Sequence, residues 1–133
     1  MTLLTLEVRS PDGVLYEGPV SAIRAEDHEG WFGILPGRRD IVASLPPGIV
    51  LFEDGRGEGF IAVSRALLSL DGASCRVLAP EARLARDVGE AARALATLRD
   101  SRRERSERRR DAMKSLEREA LRRMVGALRE ASP

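Results

Sequence analysis

The sequence predicts an all-β N-terminal sandwich followed by a C-terminal α-helical hairpin, and two observations carry this prediction. Through residue 80, short alternating apolar and polar segments are separated by Gly, Pro and Asp turns, a pattern typical of a sandwich with strands roughly every 8 to 12 residues. After Pro80 the apolar spacing changes to the period of a helix. The predicted domains are therefore a β-sandwich at 1–80 and a two-helix domain at 81–133.

The N-terminal strands are recognised by their period of two. Leu4, Leu6 and Val8 alternate with polar residues up to a turn with the sequence SPDG, and the chain returns from Val14. Further strands are expected at 19–25, 31–35, 40–45, 48–52, 59–63, 67–70 and 74–78. The segment 31–35, WFGIL, is apolar throughout, which indicates a strand that is buried on both sides or packed against another subunit.

Two apolar stripes with helical spacing follow. The first comprises Val88, Ala91, Ala92, Leu95 and Leu98, and the second comprises Met113, Leu116, Ala120, Leu121, Met124, Val125 and Leu128. Between them, 99–111 contains no apolar residue and includes a capping-box pattern at 101–104 (SRRE) that would start a second helix. The stripes can face each other in a hairpin, or they can run on one long helix, since neither Gly nor Pro occurs between Glu90 and Val125.

Length and charge limit the classes of function. The 133 residues suit one domain of ordinary size, and 22 basic against 21 acidic side chains leave a net charge of +1. A dedicated nucleic-acid binder would be strongly basic, so we expect no nucleic-acid partner. The charge is divided unevenly, at −4 for residues 1–80 and +5 for residues 81–133.

The cysteine content and the apolar segments indicate a compartment. One cysteine and one histidine can form neither an internal disulfide nor a structural zinc cluster, which fits a reducing environment. The N-terminus lacks the features of a signal peptide, and no stretch of about 18 apolar residues occurs. We expect a soluble, cytoplasmic chain that meets a membrane only through a complex.

Catalysis has little support in the sequence. Phosphate-loop, HExxH and GxSxG motifs are absent. His28 lies between two acidic residues in a polar segment that is expected to form a turn. A histidine there is expected to be solvated. Cys75 stands in an alternating strand and is expected to be packed rather than reactive. The chain is therefore predicted not to be an enzyme.

Three segments resemble one known family. Residues 6–13 (LEVRSPDG), 20–26 (VSAIRAE) and above all 30–37 (GWFGILPG) are similar to the N-terminal domain of the epsilon subunit of the rotary (F-type) ATP synthase. The resemblance continues through 61–64 (IAVS) and 77–79 (VLA) into an Arg-rich tail. Arg38 replaces a histidine of the family, and Arg65-Ala66 replaces a Gly-Gly pair, which indicates a divergent or alternate-type member.

The resemblance implies a β-sandwich with a helical hairpin and a role without catalysis. Such a chain is a central-stalk subunit of a proton- or sodium-translocating ATP synthase and couples rotor rotation to ATP synthesis or hydrolysis. Its sandwich would bind the gamma subunit and touch the c-ring, and its C-terminal helices would inhibit hydrolysis by contacting the alpha and beta subunits. The implied location is peripheral, at the cytoplasmic face of the bacterial inner membrane.

Candidate site residues follow from the same comparison and from the residue types. Partner contacts are expected at Trp31, Phe32, Ile34, Leu35 and Arg38, although Trp31 and Phe32 are equally compatible with a core position. The regulatory tail residues are Arg102, Arg103, Arg105, Arg108, Arg109 and Arg110. Acidic residues interleave with these arginines, so a solvated helix face is the alternative to docking on an acidic protein surface.

The resemblance does not extend to a bound nucleotide. In the family's ATP-binding signature, I/L-D-x-x-R-A, the spacing differs from that of 87–94 (DVGEAARA), so no cofactor is expected. The alternative function is a β-sandwich adaptor whose Arg-rich helical tail binds an acidic protein partner.

Overall fold

Two five-stranded sheets and one helix make up the computed structural model, which describes residues 3–131. The strands are β1 (Leu4–Ser10), β2 (Gly13–Val20), β3 (Ala22–Asp27), β4 (Gly30–Ile34), β5 (Ile41–Leu45), β6 (Gly48–Asp54), β7 (Gly57–Val63), β8 (Ala66–Asp71), β9 (Ser74–Leu78) and β10 (Ala82–Ala85), and the helix is α1 (Val88–Ala131). The predicted class, a β-sandwich followed by helical structure, is confirmed.

The strands are ordered β2-β1-β9-β8-β5 in sheet A and β10-β7-β6-β3-β4 in sheet B. Neighbouring strands are antiparallel except β1 and β9, which pair in parallel from Thr5↔Ser74 to Arg9↔Leu78. This pair joins the first strand of the sandwich to the ninth. The open edges are β2 and β5 in sheet A, and β10 and β4 in sheet B.

Strands β2 and β3 follow each other in the sequence but belong to different sheets. β2 pairs with β1 in sheet A, whereas β3 pairs with β4 and β6 in sheet B. The change of sheet takes place at Ser21, whose N–H donates to the carbonyl of Glu53 at 2.9 Å. Because Val20 and Ile23 are both fully buried on either side of Ser21, the crossing keeps the core continuous.

The inward faces of the two sheets form the core. Leu4, Leu6 and Val8 are buried, as their alternation predicts, and they belong to one cluster with residues from both sheets. Sheet A also contributes Leu68, Leu70, Cys75 and Val77, and sheet B contributes Ile23, Ala25, Ile34, Val50, Phe52, Ile61 and Val63. Burial of a side chain of Val, Leu, Ile or Phe size contributes about 1.5–3 kcal/mol to the free energy of unfolding.

Sheet B continues past Pro80, where the sequence places the domain boundary. The short strand β10 pairs with β7 from Ala82↔Val63 to Ala85↔Phe60, and both alanines are buried. The four-residue length of β10 explains why it was not predicted, since so short a segment has no clear period. The compact unit that contains the sandwich ends at Arg99, and a second unit begins at Asp100.

The C-terminal region differs from the predicted hairpin. The structure has a single 44-residue helix, α1, rather than two helices with a turn between them. The segment 99–111 contains neither Gly nor Pro, the two residues that most disfavour a helix interior, so one helix can continue through it. Within residues 3–131, no helix combines the length and the apolar character needed to span a membrane.

The start of α1 is set by Asp87. Its carboxylate accepts a hydrogen bond from the N–H of Glu90 at 3.1 Å, and its carbonyl accepts from the N–H of Ala91 at 3.0 Å. These two bonds are those of an N-cap residue. The capping-box pattern at Ser101 lies inside the helix instead, so the second helix start predicted there is wrong.

A polar cluster around Asp54 connects the two sheets. The Asp54 carboxylate accepts hydrogen bonds from both Arg86 guanidinium nitrogens, at 2.9 and 2.8 Å, and from the Tyr16 hydroxyl at 2.9 Å. It also accepts one from the N–H of Arg56 at 2.9 Å. Hydrogen bonds to Arg86 hold the pKa of Asp54 well below its usual range, whereas burial and the bond to Asp54 raise the pKa of Tyr16 to about 12. We name Tyr16, Asp54 and Arg86 the Asp54 cluster.

Phe52 lies beneath this cluster and accounts for a glycine in the neighbouring strand. Its ring is 4.4 Å from the Tyr16 ring, and the Arg86 guanidinium carbon lies 5.3 Å from its centroid. A Cβ atom at Gly59 would come within 2.1 Å of the Phe52 ring. Gly59 is therefore required by close packing against an aromatic ring.

Replacing this glycine tests that packing. We expect Gly59→Ala to lower the free energy of unfolding by about 1–3 kcal/mol, the usual cost of overpacking a core, because the ring has to move. Gly55→Ala is the matched control, since a Cβ there meets none of the described atoms within 4 Å. Urea unfolding followed by tryptophan fluorescence measures both variants. Equal stability of the two variants would contradict the prediction.

The depressed pKa of Asp54 predicts a dependence of stability on pH. Asp54→Asn should lower the free energy of unfolding by about 2 kcal/mol at pH 7, since hydrogen bonds to charged groups contribute about 1.5–3 kcal/mol. Because the folded pKa lies below the unfolded value of about 3.9, this contribution is complete above that value and is lost as the pH falls below it. Urea unfolding at several pH values should therefore show the difference narrowing in acid.

The control for this titration is Glu58→Gln, which removes an exposed carboxylate from the same β6–β7 hairpin. We expect it to change the unfolding free energy by no more than about 0.5 kcal/mol. A difference between the native chain and Asp54→Asn that stays constant from pH 7 to pH 3 would show that the Asp54 charge does not stabilise the fold.

Candidate partner-binding surfaces

Strand β4 presents a large aromatic side chain at an open edge of the sandwich. Trp31 is 59% exposed, and Leu35, directly after the strand, is 61% exposed. Their exposure follows from the alternation along β4, since Phe32 and Ile34 point toward the core. Exposed apolar side chains grouped in this way are typical of a surface that another molecule covers.

A tight turn after β4 fixes the direction of the chain. The N–H of Arg38 donates to the carbonyl of Leu35 at 3.2 Å, closing a turn with Pro36 second and Gly37 third. Gly37 has a φ of 89°, which favours glycine and fits a type II turn. The LPG part of the GWFGILPG motif is thus explained by backbone geometry.

Arg38 lies against the strand that precedes this turn. Its guanidinium donates to the carbonyl of Gly33, and its carbon lies 5.6 Å from the centroid of the Phe32 ring. The cation is therefore placed over an aromatic face while Arg38 as a whole remains exposed. A planar guanidinium held in this way is suited to bind a carboxylate of a partner.

An open groove of about 400 Å³ runs between the edge strands β4 and β5. Phe32, Ile41 and Ala43, which are only partly buried, line it together with Val42, which is 74% exposed. The charged side chains that line the groove are those of Asp27, Glu29 and Arg38. The groove thus combines apolar surface with charges of both signs.

The structure brings together some of the predicted contact residues and separates one. Trp31, Phe32 and Arg38 line the groove, whereas Leu35 is exposed but does not line it. Ile34 is fully buried in the core, so its side chain is not part of the surface. Val42 was not predicted, because an alternating strand does not reveal which outward residues lie beside β4. The role of these residues as contacts stays a prediction.

The predicted regulatory arginines all lie on α1, in the second compact unit. The residues concerned are exposed: Arg102, Arg103, Arg105, Arg108, Arg109 and Arg110. The large apolar residues of the second stripe, from Met113 to Leu128, are exposed as well. One face of this part of α1 is therefore apolar and unpacked, and the residues before it are rich in arginine.

The residues with catalytic potential are separated. His28 is exposed in the β3–β4 turn, as expected, where Asp27 accepts hydrogen bonds from the N–H groups of Glu29 and Gly30. Cys75 is fully buried in β9, and burial raises the pKa of its thiol to about 11, which keeps it protonated. Among residues 3–131, no group of His, Cys, Asp and Glu side chains is arranged to hold a metal ion.

Comparison with known proteins identifies the sandwich. Residues 3–85 match the family model of the ATP synthase delta/epsilon chain, beta-sandwich domain. The ATP synthase epsilon chain of Anoxybacillus flavithermus is 35% identical over 109 residues, which cover 82% of this chain and 77% of that one. The epsilon chain of Wolinella succinogenes is 35% identical over 80 residues, and the match spans 61% of its length.

Solved structures show the same fold. A chain of the mitochondrial ATP synthase of Euglena gracilis, described as OSCP/F1/c-ring in rotational state 1, superposes with a TM-score of 0.59 at 25% identity, covering 75% of this chain and 66% of that one. A chain of the central stalk/c-ring of the Tetrahymena thermophila mitochondrial ATP synthase gives a TM-score of 0.52 at 17% identity, covering 60% and 65%. The second likeness concerns the fold alone.

Proposed function

The chain belongs to the epsilon-chain family of the ATP synthase, and from this membership we propose that it is a non-catalytic subunit of the central stalk. It couples the rotation of the rotor to ATP synthesis or hydrolysis in a proton- or sodium-translocating complex. The observation that carries this proposal is the match to the sandwich domain, which covers residues 3–85 and includes the exposed β4 edge.

The sandwich supplies the docking part of this role. Trp31, Leu35 and Val42 form an exposed apolar surface beside a groove with an arginine and two carboxylates. Aromatic residues and arginine are enriched where proteins bind each other. We assign this surface to contact with other stalk components, the gamma subunit and the c-ring. The chain then associates with the membrane peripherally, at the cytoplasmic face of a bacterial inner membrane, through the complex alone.

The C-terminal part of α1 supplies the proposed control of hydrolysis. Its arginines and its unpacked apolar stripe suit a surface that is acidic and apolar, and the alpha and beta subunits are the proposed site. Docking there would oppose rotation and so inhibit hydrolysis. This inhibitory role is a separate part of the proposal, and the coupling role does not depend on it.

Binding to the gamma subunit tests the docking role. We expect the full chain to co-elute with the ATP synthase gamma subunit of the same organism. The double variant Trp31→Ala/Leu35→Ser should bind it about 30-fold more weakly, as loss of a hot spot of about 2 kcal/mol requires. The affinity is measured by isothermal titration calorimetry after size-exclusion chromatography.

The matched control for the docking experiment is Leu67→Ser/Leu78→Ser. These two leucines are exposed and paired across β8 and β9 on the outer face of sheet A. If this pair weakens binding and the first pair does not, the docking surface is on sheet A and not at the β4 edge. If the native chain does not bind gamma at all, the adaptor function becomes the better account.

Charge reversal tests the inhibitory role. Arg103→Glu/Arg109→Glu/Arg110→Glu should raise the ATP hydrolysis rate of the assembled complex by about two-fold or more, because like charges disfavour docking on an acidic surface. The control variant carries the same three charge reversals at exposed arginines of the sandwich, Arg56, Arg65 and Arg83. An unchanged rate in the tail variant, with the complex intact, would rule out electrostatic inhibition and leave the coupling role in place.

A further inference from the structure

The Asp54 cluster joins three parts of the first compact unit at one point. Tyr16 comes from β2 at an edge of sheet A, and Asp54 ends β6 in sheet B. Arg86 follows β10, which is an edge strand of sheet B. Asp54, in sheet B, thus receives hydrogen bonds from sheet A and from the segment that leads into α1.

Arg86 is immediately followed by the residue that caps α1. Asp87 accepts the hydrogen bond from the N–H of Glu90, so no flexible residue separates the ion pair from the helix start. An ion pair with two parallel N–H···O bonds also fixes direction, because the guanidinium fork matches the carboxylate plane. The ion pair with Asp54 thus fixes the residue directly before the helix cap.

Apolar contacts hold the first turns of α1 on the face of sheet B that points away from the core. Ala91 is buried in a cluster with Phe60 and Ala85, against which Ile49 and Leu51 pack. On the same side of the helix, Leu98 is buried, while Ala94 and Leu95 are only partly buried. Hydrophobic contacts are not directional. The bonds between Arg86 and Asp54 therefore add a second, directional attachment of this segment to the sandwich.

We propose that the Asp54–Arg86 ion pair, supported by Tyr16, is a latch that keeps residues 86–98 on sheet B. Opening of this segment requires the ion pair to break, and it leaves a carboxylate without its main partner. The segment is then a local unit that opens separately from the strands of the sandwich. The latch itself does not rest on the proposed function; within that function, it would keep the base of α1 with the sandwich when the distal part of α1 is rearranged.

Hydrogen exchange of the full chain tests the latch. Amide exchange of residues 91–98 and of β8 and β9 is followed by NMR in the native chain and in Asp54→Asn and Tyr16→Phe. We expect Asp54→Asn to accelerate exchange at 91–98 by about ten-fold or more relative to β8 and β9, as loss of hydrogen bonds to a charged group implies. Tyr16→Phe removes one hydroxyl and keeps the ring against Phe52, so it should give a smaller acceleration of the same kind.

Two controls separate a latch from a general loss of stability. Glu58→Gln changes an exposed carboxylate in the same hairpin and should leave exchange unchanged. Val77→Ala makes a cavity in β9, away from the Asp54 cluster, and should accelerate all amides that exchange by global unfolding in the same ratio. The proposal is overturned if exchange at 91–98 does not change in Asp54→Asn and Tyr16→Phe. It is also overturned if 91–98 and β8–β9 accelerate equally in both variants.

Discussion

One carboxylate, that of Asp54, connects the elements on which the arrangement of this chain depends. A sandwich holds its sheets together mainly through its core, but the core has no direction and does not determine how the chain leaves the last strand. Asp54 supplies that direction through bonds to Tyr16 in sheet A and to Arg86 before α1. Phe52, packed under both partners, makes the same place sterically specific, and Gly59 leaves the space for its ring.

This construction suits a subunit that transmits force rather than one that reacts. The described residues contain a buried thiol and a solvated histidine, and neither has the partners that nucleophilic catalysis needs. Exposed large apolar side chains lie instead at the β4 edge, on the outer face of sheet A and on the distal part of α1. A sandwich with an exposed apolar edge and a helix that carries a second exposed apolar surface agree with the proposed stalk role in the ATP synthase.

The site was only partly predictable because burial depends on both faces of a strand. The apolar segment at 31–35 indicated that this strand is unusual, and the exposure of Trp31 and Leu35 agrees with a contact surface. The sequence of this segment could not show that Ile34 points into the core, because no alternation of polar and apolar residues distinguishes the two faces of the strand. Tyr16 and Arg86, the side-chain partners of Asp54, lie 38 and 32 residues from it in sequence, so no local spacing could have identified them.

The sequence by itself determined which parts of the chain are strands and which are helical, apart from the short strand β10, because alternation and turn residues act locally. Leu4, Leu6 and Val8 point inward in a strand, and glycines stand where the chain turns. The tertiary structure alone decided which strands are neighbours. The crossing from sheet A to sheet B at Ser21 and the parallel pairing of β1 with β9 depend on contacts between distant segments. The continuation of the helix through 99–111 is local instead, because residues 102–111 are exposed and the absence of Gly and Pro lets one helix run through the segment.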